Sequence, residues 1–170
     1  MKKSVKIILI CLVVLLFVFG FYYFFSLKKG NQEEASEQIV KVKLYYYSPN
    51  LDKDESGNIL CSTKGLVPVE REIPLSNHLI KDTITLLLKG ELTDVEKAQG
   101  ITTEYPLEGF ALKEAFLEDG LLTLSFVDPN NKTIGGSCRT SILWNQIQAT
   151  AKQFPQVKEV IFLPETLFQP

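Results

Sequence analysis

Between Lys6 and Lys28 no residue is charged. Coiled as a helix, the run from Ile7 to Leu27 reaches roughly 30 Å, about the thickness of the hydrocarbon layer of a bilayer, and no water-soluble core of this size has use for so long an uninterrupted apolar helix. A cleaved signal peptide also starts with lysines, here Lys2, Lys3 and Lys6. Its apolar region, however, is only about 7 to 15 residues long and ends in a small-residue cleavage site. This chain has "GFYYFFSLKK" at that point, and Tyr22 and Tyr23 suit a membrane interface. Ile10 precedes Cys11 where a lipobox has a small residue, which argues against lipidation. The expectation is a retained anchor over 1–29 that spans through residues 7–27.

Three lysines precede the span, whereas Lys28 and Lys29 after it give way to Glu33, Glu34 and Glu37. The positive-inside bias then places the amino terminus in the cytoplasm and the remainder outside the cell membrane. Five of the 18 basic groups lie in the first 29 residues and none of the 20 acidic ones, which leaves 13 against 20, a formal −7. Nucleic acid and anionic lipid surfaces are poor partners for such a domain, and other envelope or membrane proteins are better ones.

Residues 30–38 are polar without a buried-face period and read as a linker, followed by a single exterior domain over 39–170. Val40, Val42 and Leu44 alternate with Lys41 and Lys43, the period of a half-buried strand. "LVPVEREI" supplies a second extended run, with Pro68 suggesting an edge position. Ser76 is a candidate N-cap for a helix over about 76–89, where Ile80, Ile84, Leu87 and Leu88 share a face. A short helical turn is expected at Thr93 to Ala98 within a long connection. Asp119-Gly120 is a favoured two-residue turn between alternating runs, with Leu122, Leu124 and Phe126 on one face. Ser137 is a candidate cap for a further helix whose buried face is Leu143, Ile147, Thr150, Ala151 and Phe154, and Pro155 stops it before the strand "VKEVIFL". The predicted order is ββαββαβ, an α+β fold in which two helices cover one mixed sheet as a single small sandwich.

Candidate chemistry is sparse. His78 is the one histidine, and a nucleophile activated by it needs Cys61 or Cys138 within hydrogen-bond reach. Asp52, Asp54, Ser56, Gly57 and Ile59 have the spacing of a calcium loop, but Thr63 stands where the closing bidentate acid belongs and Leu60 replaces another ligand. A polar hairpin loop is the plainer reading. Cys61 and Cys138 are expected at the same end of the domain, which leaves two alternatives open, a disulfide or two buried thiols. Trp144 serves either as core or as an interface anchor. Asn131-Lys132-Thr133 receives no role, and "GGS" at 135–137 lacks the spacing and lysine of a phosphate loop. No catalytic, cofactor-binding or metal-binding residue is assigned.

The Val-Pro-Val-x-Arg run at 67–71, the Leu-Leu-x-Gly helix end at 87–90 and the segment "NQIQATAKQFPQVKEVIF" resemble, in order and spacing, the GerMN domain of bacterial sporulation and germination proteins. The resemblance covers about residues 40–164. Glu91 stands where the family commonly has Pro, and "LPETLFQP" where it has Gly after the last strand. The resemblance implies a small fold similar to the ring-building motifs of envelope-spanning machines, work outside the cytoplasmic membrane in assembly, several members acting in forming or germinating spores, and no catalytic residues or cofactor to carry over. A non-catalytic assembly module, open to oligomerisation, is thus the expected function, with a peptidoglycan-binding module as the alternative and an envelope hydrolase as a more distant one.

Overall fold

The computed structural model describes residues 15–23 and 38–170. Residues 15–23 are helical with exposed apolar side chains. Among the described residues no helix is long and apolar enough to cross a membrane. The rest of the expected span over 7–27, with most of the linker over 30–38, lies outside the described residues.

Residues 39–170 form one compact unit. Its elements run β1 (Ile39–Tyr47), β2 (Leu66–Pro74), α1 (Leu79–Leu88), α2 (Asp94–Ala98), β3 (Ala111–Glu118), β4 (Leu121–Val127), α3 (Ser137–Lys152) and β5 (Glu159–Leu163). The α+β class and the strand order agree with the sequence reading; the single sheet does not. The strands form two sheets, an antiparallel β1–β2 pair and a three-stranded β3–β4–β5 sheet whose β4–β5 pairing is parallel.

Hydrogen bonding along β1 explains the division. The N–H groups of Lys43, Tyr45 and Tyr47 point away from β2, and none donates to another strand of a sheet. Lys43 donates to Gln153 Oε1 (2.7 Å) and Tyr45 to Thr150 Oγ1 (3.0 Å), both on or just beyond α3, while Tyr47 donates to the Thr102 carbonyl (3.1 Å). Gln153 Nε2 donates back to the Lys43 carbonyl (2.6 Å). Helix side chains thus occupy much of the edge that a third strand would have used. The opposite edge, on β2, is blunted differently. Pro68 is paired with Tyr45, so its nitrogen faces outward, where a missing donor costs no ladder bond.

The apolar faces meet between the helices and the sheets. Val42, Leu44 and Tyr46 of β1, Leu122, Leu124 and Phe126 of β4, and Leu143, Ile147 and Ala151 of α3 are all buried. An aromatic chain runs through this core: Tyr105, Phe110, Phe126 and Phe162 follow one another in near-parallel pairs at 6.2, 5.0 and 5.9 Å between centroids. The carboxyl-terminal segment, unassigned in the sequence reading, returns to it. Leu167 and Phe168 are buried, and the Phe168 ring meets Phe110, Phe162 and Trp144 edge-on.

Two capping expectations need correction. Helix α1 begins at Leu79 rather than Ser76; Ser76 Oγ instead accepts from His78 N–H (3.0 Å) and donates to the Asp82 carboxylate, tying down the approach to the helix. Helix α3 is capped at Gly136, so Ser137 is its first residue. The short turn at 93–98 is a full capping box: Thr93 Oγ1 accepts from Glu96 N–H, and the Glu96 carboxylate accepts from Thr93 N–H.

Candidate functional site

Of the reactive residues singled out in the sequence, the two cysteines are engaged within the fold and, among the described residues, the His78 imidazole is not. Cys61, in the β1–β2 loop, and Cys138, the second residue of α3, are joined in a disulfide with 5.2 Å between their Cα atoms. Neither sulfur is then a thiolate for His78 to activate. His78 is exposed at the start of α1 and borders a cleft of about 370 Å³ floored by Leu117 and Leu122. The other titratable group in that cleft is Lys81, and the Ser76 hydroxyl already donates to Asp82. No nucleophile–base pair is assembled there among the described residues.

The disulfide closes a loop of 77 residues in sequence, and on the chain-entropy account such a closure stabilises by about 4 kcal/mol through the unfolded state. The expected outcome of reduction is a fall of that order in unfolding free energy, read as a lowered urea midpoint. Peptide mapping without reductant should link Cys61 to Cys138; two thiols that alkylate fully in the folded protein are the contrary result.

The loop with calcium-like spacing uses Asp52 and Asp54 in its own hydrogen bonds, Asp52 buried and Asp54 exposed. Asp52 accepts from Ser62 N–H (2.5 Å), Ser62 Oγ (2.6 Å) and the Tyr47 hydroxyl (2.6 Å). Burial disfavours this carboxylate, yet the bonds from Ser62 and Tyr47 outweigh it and hold its pKa below the ordinary value. The Tyr47 hydroxyl is pushed up to about 12, by burial first and by Asp52 second. Asp54 accepts from Ser56 N–H, Asn58 N–H and Asn58 Nδ2. Both acids close the loop, and among the described residues no three ligating side chains converge as a metal requires. Asn131 and Thr133 belong to a similar turn, in which Asp128 accepts from Lys132 N–H and from both donors of Thr133.

Arg71, the last residue of the Val-Pro-Val-x-Arg run, was not given a partner by sequence reasoning. Its guanidinium meets Glu96 in a two-pronged pair, Nη1–Oε1 at 2.7 Å and Nη2–Oε2 at 2.8 Å, and also donates to the Glu91 carbonyl at 3.0 Å. The pair fastens α2 and the segment after α1 to β2. The Thr-x-x-Glu spacing of the capping box was the available signal for Glu96. Hydrogen bonding from Arg71 is the main reason the Glu96 pKa falls from 4.5 to about 2. Because the folded value lies below the unfolded one, the stabilisation is complete above about pH 5 and is lost as the pH falls toward 2. The pair is partly reached by solvent, so the expected loss is of order 2 kcal/mol rather than the full shift. Glu96→Gln should be less stable at pH 7 but lose correspondingly less between pH 5 and pH 2, as read from urea midpoints across that range.

Trp144 is half-buried on α3, its ring centroid 4.0 Å from that of Phe162. What remains of its surface borders a shallow groove of about 250 Å³ with Pro164 and Glu165.

Within residues 39–170 an uncovered apolar feature is the outer face of the three-stranded sheet, whose other face carries Leu122, Leu124 and Phe162 into the core. Register places Phe116, Thr123 and Ile161 side by side in its central row, with Glu118, Leu121 and Glu159 on one side and Glu114, Ser125 and Leu163 on the other. Phe116 is 61% exposed, Ile161 41% and Leu163 37%. Sequence reasoning recorded the inward residues of these strands and passed over the outward ones, although "VIFL" and "LLTLSFV" are apolar at both parities.

A family model described as "Germane: Sporulation and spore germination" matches residues 43–165. Among solved structures, the tandem GerMN domains of the sporulation protein GerM from Bacillus subtilis align at TM-score 0.53 and 22% identity, over 81% of this chain and 43% of that one. The present chain thus spans less than half of the tandem-domain protein, and the likeness is one of fold. The first GerMN domain of the same protein aligns at TM-score 0.49 and 16% identity, over 72% of this chain and 80% of that one. A protein described as a putative lipoprotein from Clostridium perfringens aligns at TM-score 0.39 and 15% identity, over 76% of each chain. No curated protein sequence matches.

Proposed function

The chain belongs to the Germane family of sporulation and spore germination proteins, and from that premise we propose that it is a non-catalytic interaction module of the bacterial cell envelope. In this reading residues 7–27 hold it in the cytoplasmic membrane, residues 39–170 work on the outer side, and the process served is spore formation or germination. The uncovered sheet face carries the reading. Phe116, Ile161 and Leu163 stand exposed on a rigid sheet held by a packed core, as a protein-binding surface requires. The lysine asymmetry around the apolar run supports the orientation. The engagement of Cys61, Cys138 and Ser76 with other residues of the chain supports an activity that does not depend on a nucleophile.

Complementation of a deletion strain tests the reading, with spore yield and germination as readouts at matched protein level. His78→Ala is expected to complement like the wild-type chain, since the imidazole makes no bond to the protein among the described residues and loses nothing structural. A His78→Ala variant that melts like wild type but fails to complement would return the cleft beside α1 to consideration as a catalytic site.

A further inference from the structure

Of the eleven residues that the register pairs on the outer face of β3–β4–β5, Ala111 and Val127 included, three are glutamates and none is a lysine or arginine; Lys113, exposed at the bulge between Leu112 and Glu114, is the cation at that end. Glu118 and Glu159 flank Leu121 in one row, and Glu114 shares the opposite row with Ser125 and Leu163. All three carboxylates are exposed. Among the described residues, none of the three makes an ion pair, although five such pairs form elsewhere on the domain. The face is therefore an apolar centre, Phe116 and Ile161, with the row of Glu118 and Glu159 left uncompensated on one side and Lys113 beside Glu114 on the other. Association of that centre with anything strengthens the field of these carboxylates by removing water, so an occupant must supply the missing positive charge or meet a penalty.

On this basis we propose that the outer face of the three-stranded sheet docks a protein surface whose apolar centre is rimmed by lysine or arginine. The proposal rests on the interaction-module reading and adds to it the chemistry of the partner. A second copy of the chain does not satisfy it by pairing this face with itself, because each copy then brings Glu114, Glu118 and Glu159 against Lys113 alone, which leaves carboxylates in excess in one interface. Anionic wall polymers and anionic lipid are disfavoured for the same reason.

The test places a photo-crosslinking amino acid at position 116 or 161 of the full chain in its own host, with position 72 on the outer face of β2 as the control. The expected result is a protein adduct from 116 and 161 and not from 72, whose cross-linked peptide is rich in Lys or Arg. Glu118→Lys combined with Glu159→Lys should lower the adduct yield about tenfold or more, and Glu→Gln at both positions should lower it less. Because both side chains are exposed, each variant is expected to keep the wild-type melting temperature. Adduct formed mainly with a second copy of the chain overturns the proposal, as does adduct formed with wall glycan, or none at either position. Adduct to another protein that is indifferent to charge reversal overturns the cationic rim while leaving the interaction module standing. Failure of that module is read separately: Phe116→Lys with Ile161→Lys then complements the deletion strain fully.

Discussion

Ile147→Asp is expected to abolish cooperative unfolding of residues 39–170. Ile147 is fully buried on α3, the helix that packs against β1, α1 and β5. The substitution removes a branched side chain from a close-packed site, a loss of about 2 to 5 kcal/mol for truncation alone. It also places a carboxylate there without a partner, and burial of an unpaired charge costs several kcal/mol more even after the group neutralises. The sum approaches the whole stability of a typical domain, about 5 to 15 kcal/mol. Ile147→Val, which keeps the shape and loses one methyl, should cost only about 1 kcal/mol. Thermal melts followed by circular dichroism distinguish the two: no transition for the aspartate variant, a slightly lowered one for valine. A sharp transition for Ile147→Asp near the wild-type temperature would mean that α3 does not bury this face.

Gly90→Val is expected to have the second-largest effect. Gly90 follows α1 with φ +66°, a conformation that costs a β-branched residue about 2 kcal/mol or more. A Cβ added there would lie 1.8 Å from the carbonyl oxygen of Tyr105, and the obstacle is backbone, not the end of a flexible side chain. Either the turn after α1 or the segment around Tyr105 must move. Tyr105 is fully packed, with its hydroxyl donating to the Leu143 carbonyl at 3.1 Å, so displacement carries into the aromatic core. Overpacking of this kind adds about 1 to 3 kcal/mol, for a total near 4 kcal/mol in urea unfolding. Gly57→Ala is the control, since Gly57 also has positive φ but nothing within 4 Å of an added Cβ. It should lose only the conformational part.

Much of the domain was legible because its signals are local. The Asp119-Gly120 turn has φ of 51° and 91°, the left-handed pair that this dipeptide tolerates best, and it fixes the β3–β4 hairpin without reference to anything distant. The alternation of Val42 and Leu44 and the helical spacing of Leu143, Ile147 and Ala151 each report a buried face through the period of one element. The terminal "LPETLFQP", a departure from the family pattern, carries Leu167 and Phe168 back into the core.

The candidate site was legible only as a set of residue types. His78, Asp52, Cys61 and Cys138 could be named from the sequence, but whether each was free or engaged depends on neighbours far along the chain, such as the Cys138 that lies 77 residues from Cys61. The outer sheet face was hidden for a related reason. An apolar residue at either parity of a strand reads as core until it is known which side the helices cover.

By itself the sequence determined the elements, their order, their inward residues and the family, because periodicity, turn chemistry and capping act within a few residues. Tertiary structure decided how the strands divide into two sheets. Thr150 and Gln153 reach β1 across more than a hundred residues and occupy the edge where another strand would have paired. It also decided that Arg71 meets Glu96, and that Phe116 and Ile161 face outward beside unpaired carboxylates. These outcomes depend on which groups packing brings within about 3 Å of one another, and a hydrogen bond or ion pair of that length leaves no period in the chain from which it could be read.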